Sequence, residues 1–395
     1  MAGDPKSGSL RSMRPLLPQP PARPATAGAV SVAPGVESVP ETLKMARERR
    51  GLTATALAAN LGRSTSYVSR AESSLDTFVV TGQGLLDYAQ ALDVPVSLLT
   101  KKVHREPPEG THFRSNKVPL RVRNRVEAEA NFAAHIINAL LRSGLVDPTF
   151  AWALPTFDID EHGSPETVAQ VLRNHWRLGT GPIQNIAAVL ESAGVFILPL
   201  PADITGVDAI TIRCDGPATA ITLLAMDRPH DRLRQTLAHE LGHLVISSLT
   251  PVGLKEVEDR VDRFAAEFLI PYNEIRDDLK GVTPSQLPVV FDLHRTWGAH
   301  PAALIRRAYM HGGITQQQYH YWFRALNAKG LARGPLPSSF PVEPRSAKDL
   351  IATIKDEGLP SVRLQDYTDH TERDVAPLFG TDWPYGSRLS LVSTP

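Results

Sequence analysis

Two histidines four residues apart, His239 and His243, bracket a glutamate in the run Leu237-Ala-His-Glu-Leu-Gly-His243. On a helix, positions i and i+4 share a face with their Cβ atoms about 6 Å apart, near enough for both imidazoles to reach one tetrahedral ion. Glu240, directly after the first histidine, then lies beside the ion rather than on it. A carboxylate placed there can take a proton from an attacking water and hand it to a leaving amine, which is the task of peptide hydrolysis. Among 13 histidines, chance would produce this pattern only about a few per cent of the time. The spacing therefore points to one Zn2+ per chain rather than to two ordinary helix histidines.

A catalytic zinc takes three protein ligands and leaves a fourth position for water. The next helical stretch offers Glu256, Glu258, Asp259, Asp262 and Glu267. At 3.6 residues per turn, Val257, Val261, Phe264, Ala265, Phe268 and Leu269 make a buried stripe, with Glu258 and Asp262 flanking it. An acid at that boundary is costly unless it is paired or bound to metal. Glu258 is accordingly expected as the third ligand, and Asp262 as the carboxylate that orients a ligating imidazole, first of all His239. The alternative is an ordinary helix edge, with Glu258 paired to Arg260 or Asp262 to Arg263.

The stretch from Gly181-Pro-Ile183 through Leu237 to Val245 and on to Glu258-Asp-Arg-Val-Asp-Arg-Phe-Ala-Ala-Glu-Phe-Leu-Ile-Pro271 resembles the ImmA/IrrE metallopeptidase family. That family's Glu-x-x-Ala-Asn/Asp-x-Phe-Ala pattern is met by Glu258, Asp262, Phe264 and Ala265, with Val261 in place of the usual alanine. Ser247 stands where many relatives carry a further histidine. The resemblance covers residues 165 to 330 and implies a gluzincin-like zinc fold. Such relatives cleave helix-turn-helix repressors, often in response to DNA damage or another stress.

The elements that must position these residues follow from hydrophobic period and breakers. Helices are expected around Ala130 to Leu141, Thr167 to Trp176, Ile183 to Ala193, 230 to 248 and 255 to 270, and again around Leu304 to Arg307 and Gln316 to Leu326. The apolar runs Val195 to Leu200, Ala209 to Cys214 and Ala218 to Ala225 read as strands of one small sheet. The fold class is therefore mainly α with a small β-sheet. Tyr272, His230 and His175 are candidates for steadying the oxyanion of peptide hydrolysis.

Upstream, Leu52 to Gly62 followed by Arg63 to Glu72 has the form of a helix, a glycine turn and a second helix that opens on short polar residues. A second helix of that kind can lie in the major groove. The segment resembles the XRE-type helix-turn-helix, although Ala54 stands where relatives commonly place a DNA-contacting glutamine. Ser64, Thr65, Ser66, Tyr67, Ser69 and Arg70 are the candidates for DNA contact. A helical module for protein contact or dimerisation is the competing reading.

With 395 residues the chain is long enough for several domains. The expected order is a disordered proline-rich tail (1–40), a helix-turn-helix domain (41–100), a basic linker (101–125), the metallopeptidase domain (126–280), a helical region (281–335) and a proline-rich C-terminal region (336–395). Lys plus Arg equals Asp plus Glu at 42 each, so affinity for double-stranded DNA must come from a local patch. The single Cys214 and the lack of a membrane-length apolar run favour a cytoplasmic protein without a membrane partner. A protein substrate, plausibly another helix-turn-helix regulator, and a homodimer complete the expected partners. Against a cleaving enzyme stands a transcription factor that uses its peptidase-like domain as a ligand or stress sensor.

Overall fold

The computed structural model describes residues 35–113, 118–144, 146, 150–248, 253–332, 336–337, 340–358 and 361–380. Most of the expected N-terminal tail, and the last fifteen positions of the C-terminal region, thus lie outside the described residues.

In chain order the elements are α1 (Pro40–Arg49), α2 (Ala54–Asn60), α3 (Thr65–Ala71), α4 (Gly82–Leu92), α5 (Val96–Leu99), β1 (Pro108–Phe113) and α6 (Leu120–Arg142). There follow β2 (Phe157–Asp158), α7 (Ile159–His162), α8 (Pro165–His175), α9 (Ile186–Ser192), β3 (Val195–Pro199), β4 (Val207–Arg213) and β5 (Ala220–Leu224). The chain continues with α10 (His230–Val245), β6 (Ile246–Ser247), α11 (Leu254–Leu269), α12 (Arg276–Leu279), α13 (Leu287–Trp297), α14 (Pro301–Met310) and α15 (Gln316–Ala328). It closes with α16 (Ser346–Asp356), α17 (Ser361–Thr368) and α18 (Glu372–Phe379). The protein is mainly helical with a small mixed sheet, as the sequence indicates.

Two compact units divide the chain, and neither is continuous in sequence. The first joins Met1–Phe150, Gly194–Leu224 and Arg345–Pro395. Its helix-turn-helix core packs Leu43, Leu57, Val68, Leu85, Tyr88 and Leu99 around one another. Its sheet has the order β1-β4-β5-β3, with β4 antiparallel to β1 and β5, and β3 parallel to β5. Nearly every residue of β3, β4 and β5 is buried, because α6 packs on β4 and β5 while α16 and α18 pack on β3. Strands covered in this way read as continuous apolar runs rather than as alternation. Two of the polar exceptions, Thr211 and Thr222, face each other in register and share a buried hydroxyl hydrogen bond of 2.9 Å.

One expectation changes here. Residues 101–125 are not a bare basic linker: β1 lies within them and α6 begins at Leu120. Three of their cations are answered by acids distant in sequence, Arg105 by Glu48 and Glu127, Lys101 by Asp369, and Arg125 by Asp203. A run of like charge looks solvated only while its partners are unknown. The C-terminal region, expected only to be proline-rich, carries α16, α17 and α18 among its described residues, with Leu350, Ile351 and Ile354 burying one side of α16. At α18 the buried Asp374 carboxylate receives both Arg49 (3.3 Å) and Arg50 (2.8 Å) from the end of α1. His370 is buried against Phe132 and His135, and burial, with Arg49 and His135 nearby, holds its pKa well below 6.5.

The second unit comprises Ala151–Ala193 and Ala225–Pro344. Its centre is α10 packed on α11, which packs in turn on α8. The buried Glu267 of α11 ties three helices together, accepting from Gln170 of α8 (2.9 Å), from Arg307 of α14 and from the Tyr272 amide. Arg173 of α8 donates to the carbonyls of Phe268 (2.6 Å) and Gly179 (2.8 Å), which fixes the loop before α9 against the end of α11.

Candidate metal centre and nucleic-acid interface

Helix α10 starts directly after Pro229, and from Thr236 to Val245 all its residues are buried. A helix apolar on every side belongs inside a core, so polar residues in that stretch need a reason to be there. His239 and Glu240 are almost completely enclosed, and His243 nearly so. Helix α11 is amphipathic, burying Val261, Phe264, Ala265, Phe268 and Leu269 and leaving Glu258 and Asp262 half exposed at the stripe's edge.

Gly242 decides how closely these helices meet. A Cβ there would fall 2.8 Å from Cγ1 of Val261 and 3.0 Å from the Phe264 ring. Glycine in a helix interior costs about 1 kcal/mol relative to alanine, and here the missing side chain lets α11 settle against the turn of α10 that carries both histidines. Sequence reasoning passed over Gly242, although the tolerance of a glycine inside so strong a helix was itself a signal.

The approach brings three donors together. The Nε2 atoms of His239 and His243 are 3.2 Å apart, and Glu258 places Oε2 at 3.3 Å from the first and Oε1 at 3.5 Å from the second. Ligands about 2.0–2.1 Å from a tetrahedral zinc stand about 3.3 Å from one another. The set fits that ion in donor type, the two imidazoles stand at that spacing, and each has a different oxygen of Glu258 close to it, with one ligand atom from each residue within 4.8 Å of the others. Asp262 lies 2.9 Å from Nδ1 of His239. A proton on Nδ1 donated to Asp262 leaves the Nε2 lone pair for a cation. Burial works against a charged His239, but the bonds to Asp262 and Glu258 and the neighbouring Glu240 carboxylate prevail and raise its pKa to about 9. The field that favours a proton there favours a divalent cation by the same sign.

The competing pairings of the acids are not formed: Arg260 bonds Glu256 (2.7 Å) and Arg263 bonds Glu166 (2.8 Å). Of the candidates for oxyanion stabilisation, Tyr272 stacks on His311 with ring centres 3.9 Å apart. His230 accepts from the Val342 amide at 3.1 Å, and His175 is exposed at the end of α8. Ser247 lies in β6, its hydroxyl donating to the Phe157 carbonyl at 3.2 Å.

In the first unit, α2 and α3 form the helix-turn-helix. Ser64 caps α3, its hydroxyl accepting from the Tyr67 amide at 3.2 Å. Thr65, Ser66, Ser69 and Arg70 are exposed along α3. Tyr67 faces inward, edge-on to Phe78 at 5.1 Å. Arg70 is held by Asp76 (3.0 Å) and lies over the Phe78 ring, whereas Arg63 is exposed with its guanidinium over Tyr67. Arg63 is a cation beside the start of α3 that the sequence reading did not select.

Comparison with known families agrees with this division of labour. Residues 41–100 match the family model described as a helix-turn-helix domain, and residues 190–309 match that described as the IrrE N-terminal-like domain. No curated protein and no solved structure matches the chain.

Proposed function

We propose that this chain, a helix-turn-helix domain fused to an IrrE-like peptidase domain in the architecture of the ImmA/IrrE family, is a DNA-binding regulatory zinc endopeptidase that cleaves a transcriptional regulator under stress. The observation that carries the reading is the convergence of His239, His243 and Glu258, one ligand atom from each within 4.8 Å of the others, with both histidines on the helix turn that also carries Glu240.

His239, His243 and Glu258 would hold the zinc, and Asp262 would orient His239 through Nδ1. When bound, the ion supplies Lewis acidity that polarises a scissile carbonyl and acidifies water. Glu240 takes the proton from the attacking water on its carboxylate and returns it to the departing amine, and its enclosure keeps that proton from bulk solvent. Ser64, Thr65, Ser66, Ser69 and Arg70 on α3, joined by Arg63, read a DNA duplex and place the enzyme. No helix among the described residues is long and apolar enough to cross a membrane. A cytoplasmic location follows on our reading from the lone Cys214.

The test is selective proteolysis. Wild-type and Glu240→Gln forms are expressed in the native host under DNA damage or metabolic stress, and the proteome is searched for fragments made only by the wild type. A specific fragment, from a DNA-binding regulator, is the expected result. No Glu240-dependent fragment together with normal promoter response would leave a ligand sensor. The full chain should also bind duplex DNA sequence-specifically, less tightly as salt rises. Ser66→Ala and Arg70→Ala should weaken that binding with zinc content unchanged, and weak, sequence-blind binding would favour a protein-contact module.

A further inference from the structure

Arg234 lies on α10 five residues before His239 and is 1% exposed. A guanidinium does not shed its proton in a protein, and burying that charge is strongly unfavourable unless an anion or full hydrogen bonding answers it. The other buried arginines among the described residues are answered: Arg49 by Glu129 and Asp374, Arg173 by backbone carbonyls, Arg307 by Glu267. Arg234 is not. Its Nε and Nη1 are buried without a hydrogen-bond partner, and Nη2 makes one long bond, 3.4 Å, to the Trp297 carbonyl. Burial lowers its pKa to about 10, which still leaves it charged near neutrality.

The surroundings have the form of a holder. Phe340 covers the face of the guanidinium at 4.8 Å, and such stacking leaves the in-plane N–H groups directed elsewhere. Gly298, at φ +62°, passes close by, where a Cβ would collide with the Phe340 ring and lie 3.1 Å from Nε. The His294 ring stands between the carbonyl oxygens of Ala299 (2.8 Å) and Pro337 (3.0 Å) and links the two walls.

We propose that Arg234, with the Trp297–Gly298 turn and Phe340, forms an internal site for a small oxyanion, a carboxylate or a phosphate. The planar fork of N–H donors matches two oxygens of either group, and a desolvated setting strengthens each charge-assisted bond. Five residues on a helix are about 7.5 Å, so occupancy steadies the stretch of α10 that carries His239 and Glu240. The site is a route by which an anionic small molecule would set the competence of the metal centre, and it stands whether or not the chain cleaves protein.

Calorimetric titration of the full chain with inorganic phosphate and, separately, with succinate at matched ionic strength tests the site, with and without a chelator. The expected result is saturable binding of one anion per chain, the same after chelation, for at least one of the two, and the anion that binds identifies the source. Arg234→Lys, which keeps the charge but loses the fork, should weaken it at least about tenfold, and Arg234→Met should abolish it. If the Met variant fails to fold, the wild-type titration and the Lys variant still decide. Absence of saturable binding of either anion, binding that vanishes on chelation because it resides on the metal, or unchanged affinity in Arg234→Lys would each overturn the proposal.

Discussion

Replacing His239 or His243 by alanine is expected to empty the protein of zinc, whereas the wild type is expected to purify with about one ion per chain. Each imidazole supplies one of three donors that already lie within 4.8 Å of one another, and no other grouping of metal-ligating side chains of this kind occurs among the described residues. Removing one leaves two protein ligands, too few for the usual catalytic zinc shell. The paired control lies on α11. Glu258→Gln should weaken zinc strongly, while Glu256→Gln, which only disturbs the exposed pair with Arg260, should retain it. Asp262→Asn should cost about 10–100-fold in affinity, because the imidazole keeps its place but loses the carboxylate that sets its tautomer. Zinc measured by elemental analysis after gel filtration, with circular dichroism to confirm folding, decides the matter. Equal metal content in the two glutamate variants would move the third ligand elsewhere.

Glu240→Gln is expected to separate binding from chemistry. The side chain is fully enclosed beside His239 and is not one of the three clustered donors, so the amide should leave zinc and fold intact. Glutamine cannot accept and return a proton, and the loss of general acid–base transfer alone lowers turnover by about 10²–10⁴-fold. On a substrate recovered from the proteome comparison, cleavage by the zinc-loaded variant should fall by that factor or more, with substrate affinity little changed. Wild-type turnover in a variant with full zinc would remove the mechanism.

How far the sequence alone reaches is set by whether a determinant is local. His239, Glu240 and His243 declare themselves through helical spacing, and the half-exposed edge of α11 singles out Glu258 and Asp262 because an acid bordering an apolar stripe needs a reason. The three strands at 195–224 are legible as apolar runs. Determinants that depend on what a distant segment brings remain hidden. Gly242 looks like a mild helix fault until Val261 and Phe264 are seen against it. Arg234 looks like one more surface cation until Phe340 covers it. The run after residue 100 looks like a bare basic linker until Glu48, Glu127, Asp203 and Asp369 are found to pair with three of its cations. β1 escapes notice because its proline, glycine and glutamate carry little strand propensity, and its partner β4 is remote in sequence.

The helix-turn-helix unit is assembled from three separate lengths of chain, the last beginning at Arg345. Proteins emerge from the ribosome N-terminus first, and domains ordinarily fold as their own residues appear. Here the helix-turn-helix is made early, yet Asp374, which pairs with both Arg49 and Arg50, is made only after the whole of the second unit. A nascent chain that has not reached residue 374 holds the buried Arg49 and the partly buried Arg50 without the carboxylate they share, and a sheet without the helices that pack on β3. Completion of the first unit therefore waits on synthesis of the second, which carries the candidate metal centre.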